Sequence, residues 1–129
     1  MSRTLSPRER ITSFAHAFRG VAALLATQPN ARIHAAATVA VLALALALRV
    51  SSGEWLALAL SIALVWSAEA VNTAIEALCD VVSPNSHPLV RRAKDVAAAA
   101  VLLAAFGAVA VGLLVFGPRL AGLVRLVGR

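Results

Sequence analysis

Four polar residues recur at helical spacing in an otherwise apolar stretch. Glu69, Asn72, Glu76 and Asp80 are separated by three, four and four positions. At about 100° per residue they share one narrow face of an α-helix. Glu69 directly follows an uncharged run, Trp55 to Ala68. An ionisable group at the end of such a run is costly and marks a functional site by default. A desolvated carboxylate within reach of a hydroxyl suits a general base. The same side chains also fit polar contacts between helices, and spacing alone leaves both open.

Further along, Lys94 and Asp95 stand at the start of the next apolar run. Only a short loop separates that run from the acidic face, so its helix must return alongside and Lys94 can approach the carboxylates. Carboxylates and a lysine are the parts that hold Mg²⁺ and nucleotide phosphates. A solvated helix start accounts for Lys94 and Asp95 equally well. No G-x-x-x-x-G-K phosphate loop is present, so a nucleotide would bind without one.

These residues need helices to position them. Ser6-Pro7-Arg8-Glu9 reads as a helix start, with Ser6 as cap and Glu9 completing a capping box. Ile11, Phe14, Phe18, Val21, Ala22 and Leu25 then fall on one face, and Thr12, His16 and Arg19 on the other. Such a helix can lie in a membrane interface or against its own protein. Thr27-Gln28-Pro29-Asn30 ends it. The pattern predicts a surface helix at about 7–27 and spans at about 31–50, 55–82 and 88–116, in one membrane-embedded domain over 1–129. Trp55 reads as an interfacial anchor, Ser83 to Pro88 as a loop, and Pro118 to Arg129 as a short basic tail. Ala100, Ala104, Ala108 and Gly112 form a small-residue stripe that lets helices approach closely, and three spans per chain favour oligomers.

Composition agrees. Of 129 residues, 60% are hydrophobic, mean hydropathy is +0.85, and 14% are charged. A soluble domain of this size cannot hide that much apolar surface, so the bilayer is the expected solvent. The net charge of +6 does not read as nucleic-acid binding, because the basic residues flank apolar runs and aromatics are 5%. They read instead as topology signals. Arg3, Arg8, Arg10, Arg19, Arg32, Arg91, Arg92 and Lys94 fall on one side, and Arg49, Arg119, Arg125 and Arg129 on the other. The first side is expected to be cytoplasmic, where ATP is. Cys79, the single cysteine, excludes an intrachain disulfide and reads as a small buried residue. Met1 to Pro7 lacks a following apolar run and does not read as a cleavable signal. His16 and His34 stand far apart, outside any Cys/His cluster, and do not read as a zinc site. His34 reads as the start of a membrane helix.

The run from Glu69 to Asp80 closely resembles the signature of the prokaryotic diacylglycerol kinase family, E-x-x-N-[ST]-[SA]-[LIV]-E-x-x-x-D. Ser83-Pro84-Asn85-Ser86-His87-Pro88-Leu89 and Ala93-Lys94-Asp95-Val96-Ala97-Ala98 continue it in register. Ala17-Phe18-Arg19-Gly20 and Asn30-Ala31-Arg32-Ile33-His34 match upstream. The resemblance covers about Phe14 to Pro118.

It implies an all-α integral membrane homotrimer, each subunit having three transmembrane helices and an N-terminal amphipathic surface helix. It further implies a bacterial inner-membrane enzyme with a cytoplasmic active site that uses MgATP to phosphorylate a lipid alcohol. The product would be undecaprenyl phosphate or phosphatidic acid. Glu69 matches the catalytic base, and Glu76 a metal-binding glutamate that also serves the nucleotide. Lys94 and Asp95 match nucleotide-binding positions, and Asn85, Ser86 and His87 a loop near the nucleotide. Asn72 and Asp80 match supporting polar positions, and Arg32 lies in a region associated with lipid. The patterns around Asn30–His34 and Ser83–Pro88 look more like the undecaprenol kinase branch. One departure matters. Gln28 stands where the family usually has a second metal-binding glutamate. Its oxygen can ligate Mg²⁺ and serve the nucleotide site but adds no negative charge, so weaker Mg²⁺ affinity is expected.

Two rival classes use some of the same features. A small oligomeric transporter also carries a membrane glutamate, but places it deep in a span and has no need of Lys94-Asp95. A catalytically inactive relative is compatible with Gln28.

Overall fold

A computed structural model describes residues 7–83 and 87–128, with the side chains of 11–83 and 87–126. Ser6, the expected cap, lies outside the described residues. Four helices follow one another: α1 (Pro7–Thr27), α2 (Pro29–Ala47), α3 (Ser52–Val82) and α4 (Pro88–Val127). The last three are long and apolar enough to cross a membrane. The chain is therefore all-helical, as the sequence predicts.

The corner between α1 and α2 is set by proline. Pro29 opens α2, and a residue before proline is pushed out of the helical region. Gln28 accordingly sits at φ −105° and ψ 115°. The broken end of α1 is closed by Arg32, whose Nε donates to Leu25 O at 2.9 Å and Nη2 to Ala26 O at 2.6 Å. These carbonyls have no partner inside the helix, and a cation at a helix C-terminus also meets the favourable end of its dipole. Among the described side chains of α1, Leu24 is the buried one, whereas Ile11, Phe14 and Phe18 point outward.

The α2–α3 connection is built by two caps in series. Val50 N–H donates to Ala45 O and Arg49 N–H to Leu46 O, at 3.2 and 3.3 Å. This is a Schellman motif, with Arg49 at φ 50° in the left-handed position usually given to glycine. Ser51 then caps α3. Its Oγ accepts from Glu54 N–H, and the Glu54 carboxylate accepts from Ser51 N–H, a complete capping box. Val50 and Ala45 join Leu58, Val115 and Phe116 in an apolar cluster against which Trp55 packs.

The helices α3 and α4 form a long antiparallel hairpin, with α2 packed more lightly on α3. An ion pair stands near each end. Lys94 Nζ meets Asp80 Oδ1 at 2.5 Å. Arg119 meets Glu54 in a fork, Nη1 to Oε1 at 2.6 Å and Nη2 to Oε2 at 2.7 Å. At 1.5 Å per residue the two pairs lie about 38 Å apart, close to a bilayer with part of its headgroup layers.

The basic tail continues α4. The helix does not stop near 116 but runs through Pro118 to Val127. Proline clashes with the Cβ of the residue before it, and Gly117 has none. Arg119 also donates to Val115 O at 2.8 Å, tying down the turn that proline weakens.

Large side chains such as Leu56, Leu60, Leu64, Leu103, Phe106 and Leu113 point away from the bundle. Each would forfeit about 1.5–3 kcal/mol in water relative to an apolar surrounding. Lipid, not water, is the solvent that makes this fold stable.

Candidate active site

The predicted polar face of α3 meets α2 and α4 in one place. Glu69, Asn72 and Glu76 line a cavity of about 270 Å³ with Asn30, Ile33 and His34 of α2 and Ala98, Val101, Leu102 and Ala105 of α4. Glu69 is 1% exposed. Asn72 is buried, and its Nδ2 donates to Glu76 Oε1 at 3.0 Å, one helical turn on.

Polar dissatisfaction is concentrated here. Among the described residues, the buried side-chain polar atoms without a hydrogen-bond partner are Glu69 Oε2, Asn72 Oδ1 and Thr73 Oγ1. All three belong to five consecutive residues of α3. Leaving such an atom unpaired costs about 1–3 kcal/mol, so a protein tolerates it where a ligand or a reaction uses it. Glu69 Oε2 is an acceptor with nothing donating to it. His34 Nε2 stands 3.9 Å from it.

Depth follows from helix length. From the anchor Trp55, about 30 Å of hydrocarbon takes about 20 residues, which ends near Ala74. With Trp55 at the interface, Glu69 and Asn72 would fall in the last turns inside the hydrocarbon, and Glu76 and Asp80 beyond it. Lys94 pairs with Asp80 at that outer level. The approach of Lys94 to the acidic face, expected from the short loop, is what the hairpin produces.

The remaining candidates are more dispersed. Asp95 is exposed next to Lys94. The His87 Nδ1 accepts from Leu89 N–H at 3.2 Å and caps α4. Asn85 and Ser86 lie outside the described residues. Gln28 is half-buried at the α1–α2 corner and is not part of the cavity wall. Arg32, read from the sequence near lipid, spends its guanidinium on the end of α1. The described residues hold no group of three or more His, Cys, Asp or Glu that could bind a metal. A single carboxylate at Glu76 nevertheless suits Mg²⁺ bound chiefly by phosphate oxygens and water.

Two features were not found by sequence reasoning. His34 of α2 reaches the cavity, and its position was legible only as a helix start. Trp66 Nε1 donates to Thr38 Oγ1 at 3.1 Å, and Thr38 Oγ1 donates to His34 O at 2.7 Å. This chain joins α2 to α3 one turn before Glu69. The small-residue stripe of α4 also has a local use: Ala104 is buried, and Ala108 and Gly112 line a second cavity facing α2.

The sequence itself is similar to those of known proteins. The sequence profile of the prokaryotic diacylglycerol kinase family matches residues 15–116, which include every candidate from Gln28 to Asp95. An undecaprenol kinase of Bacillus subtilis is 42% identical over 108 residues, 84% of this chain and 88% of that protein. A diacylglycerol kinase of Synechocystis is 45% identical over 103 residues, 79% of this chain and 59% of that protein. With four-fifths of its length matched and a buried glutamate, one oxygen unpartnered, where the signature requires one, this chain belongs to the prokaryotic diacylglycerol kinase family.

Proposed function

We propose that this protein is an ATP-dependent lipid kinase that phosphorylates the hydroxyl of undecaprenol or diacylglycerol. The observation that carries the reading is Glu69: a carboxylate 1% exposed, with an oxygen that nothing in the chain satisfies, at the level where a lipid hydroxyl sits. Names of relatives with 42% and 45% identity support the two lipids.

In this reading the lipid reaches the cavity laterally from the bilayer. ATP arrives from the cytoplasm, its phosphates met by Lys94, with Asp95 and the loop at Asn85, Ser86 and His87 placed around the nucleotide. The lipid oxygen attacks the γ-phosphorus, Glu69 takes the hydroxyl proton, and ADP leaves. Asn72 holds Glu76 in place, and Asp80 holds Lys94. Glu76, with a neutral oxygen from Gln28, is where Mg²⁺ would be held. When bound, that ion neutralises phosphate charge. Most of the acceleration is positioning and charge neutralisation, which phosphoryl transfer chiefly requires.

The finer architecture belongs to the same proposal. Three copies assemble in the bacterial inner membrane with the active site cytoplasmic, and α1 lies in the interface with Ile11, Phe14 and Phe18 in lipid. Supporting this are their outward orientation, the eight-to-four bias of basic residues, and the apolar outer surface of a single chain. Arg32 would meet lipid from the same corner.

The test is phosphate transfer from γ-labelled ATP by purified protein in mixed micelles, with diacylglycerol and undecaprenol offered in parallel. Labelled lipid from the parent and none from Glu69→Gln is the expected result. No labelled lipid from either substrate, with the protein folded and oligomeric, would sink the reading.

A further inference from the structure

His34 stands where two unlike cavities meet. It lines the polar one, with Glu69, Asn72 and Glu76. It also lines a second cavity of about 330 Å³ whose other walls include Ala37, Val41, Leu44, Val109 and Phe116. The second cavity is apolar apart from Thr38 and runs along α2 and α4 toward the far side of the bundle. An amphiphile with a hydroxyl at one end and hydrocarbon behind it matches this junction. Its hydroxyl would lie at His34.

The geometry around His34 is specific. Its Nε2 lies 3.9 Å from Glu69 Oε2, and its side chain is 18% exposed against 2% for Glu69. That gap is too long for a direct hydrogen bond. An oxygen about 2.8 Å from each atom would bridge them at an angle of roughly 90°. Such an oxygen can donate its proton to Glu69 and accept one from His34. Among the described residues, none hydrogen-bonds to Glu69 Oε2. The placement is also held. Trp66 Nε1 donates to Thr38 Oγ1, which donates to the His34 carbonyl, so the indole on α3 fixes the height of His34 against Glu69 three residues later.

We propose that His34 is an acceptor-binding residue, whose Nε2–H holds the oxygen of the lipid hydroxyl beside the Glu69 carboxylate that takes its proton. The inference rests on the lipid kinase reading above. In the transfer, the bond from the lipid oxygen to the γ-phosphorus forms and the bond from that phosphorus to ADP breaks. The hydroxyl proton passes to Glu69, and His34 keeps its own proton throughout. His34 is thus a donor and not a proton carrier.

That distinction sets the experiment. In His34→Gln the amide nitrogen can stand near the position of Nε2 and still donate, but it cannot carry a proton at neutral pH. His34→Leu keeps bulk and removes the donor. Initial rates are measured for parent and both variants in mixed micelles, varying diacylglycerol, undecaprenol and MgATP separately. His34→Leu is expected to raise the lipid KM about tenfold, the equivalent of about 1.4 kcal/mol, with the MgATP KM unchanged. His34→Gln is expected within threefold of the parent. An unmoved lipid KM in His34→Leu overturns the proposal, as does His34→Gln being as impaired as His34→Leu. A parallel rise in both KM values in His34→Leu also overturns it, because it marks a general loss of structure. If the parent phosphorylates neither lipid, the lipid kinase reading falls and takes this inference with it. An active parent with unshifted His34→Leu refutes this inference alone.

Discussion

Replacing Glu69 separates catalysis from stability, because the two should move in opposite directions. The carboxylate is 1% exposed, and its Oε2 has no partner. As a general base it contributes about 10²- to 10⁴-fold to the rate, equivalent to about 2.7–5.5 kcal/mol of barrier. Glu69→Gln keeps the shape and removes the basic oxygen, so kcat should fall by roughly that factor. The MgATP KM should stay within about threefold, since Glu76, Lys94 and Asp80 keep their contacts. Glu69→Met goes further and removes the unpaired oxygen. Leaving an acceptor unsatisfied costs about 1–3 kcal/mol, and an apolar chain of similar length recovers part of it. The variant should be inactive yet unfold at a higher temperature or detergent-denaturant midpoint than the parent. The assay pairs steady-state kinetics in mixed micelles with thermal unfolding followed by circular dichroism. A Glu69→Gln enzyme within tenfold of the parent kcat would refute the base role. A Glu69→Met protein less stable than the parent would show that Glu69 is a structural contact whose partner lies in a neighbouring copy or an ordered water.

Other perturbations test the frame around the site. Gln28→Glu restores a charge at the α1–α2 corner and should lower the Mg²⁺ concentration needed for half-maximal rate several-fold; an unchanged Mg²⁺ requirement would remove Gln28 from the metal site. Arg49 occupies a left-handed position at φ 50°, so Arg49→Gly should stabilise the protein by about 0.5–1 kcal/mol in thermal unfolding, with activity unchanged. Arg119→Met leaves Glu54 without its fork and loosens the α4 turn at Pro118. It should lower the unfolding midpoint and leave the lipid KM unaltered, and an equal loss in the double variant with Glu54→Gln would show that the two act as one pair.

What was legible in the sequence is local or repetitive. Helical spacing alone aligns Glu69, Asn72, Glu76 and Asp80, since a period of 3.6 residues acts over neighbours in the chain. Uncharged runs announced three spans, because lipid excludes charge whatever the tertiary fold. The acid-base partnership of Lys94 with the α3 face followed from a short loop that leaves a helix only one way to return. Pro29 and the Ser51–Glu54 box placed two helix starts for the same local reason.

Contacts between distant parts of the chain needed the structure. Arg119 and Glu54 are 65 residues apart, and nothing in either neighbourhood names the other. The supposed tail is a helix because Gly117 admits the proline and Glu54 receives the arginine. Arg32 closes the end of α1 through Leu25 O and Ala26 O, a contact that no local pattern names. His34 stands in a run that resembles the family, but nothing local names what it faces. Only the packing of α2 on α3, through Trp66 and Thr38, brings it to 3.9 Å from Glu69. A carboxylate's position along a helix is set by the chain's own period, but what it faces is set by which helix packs across from it, and at what height.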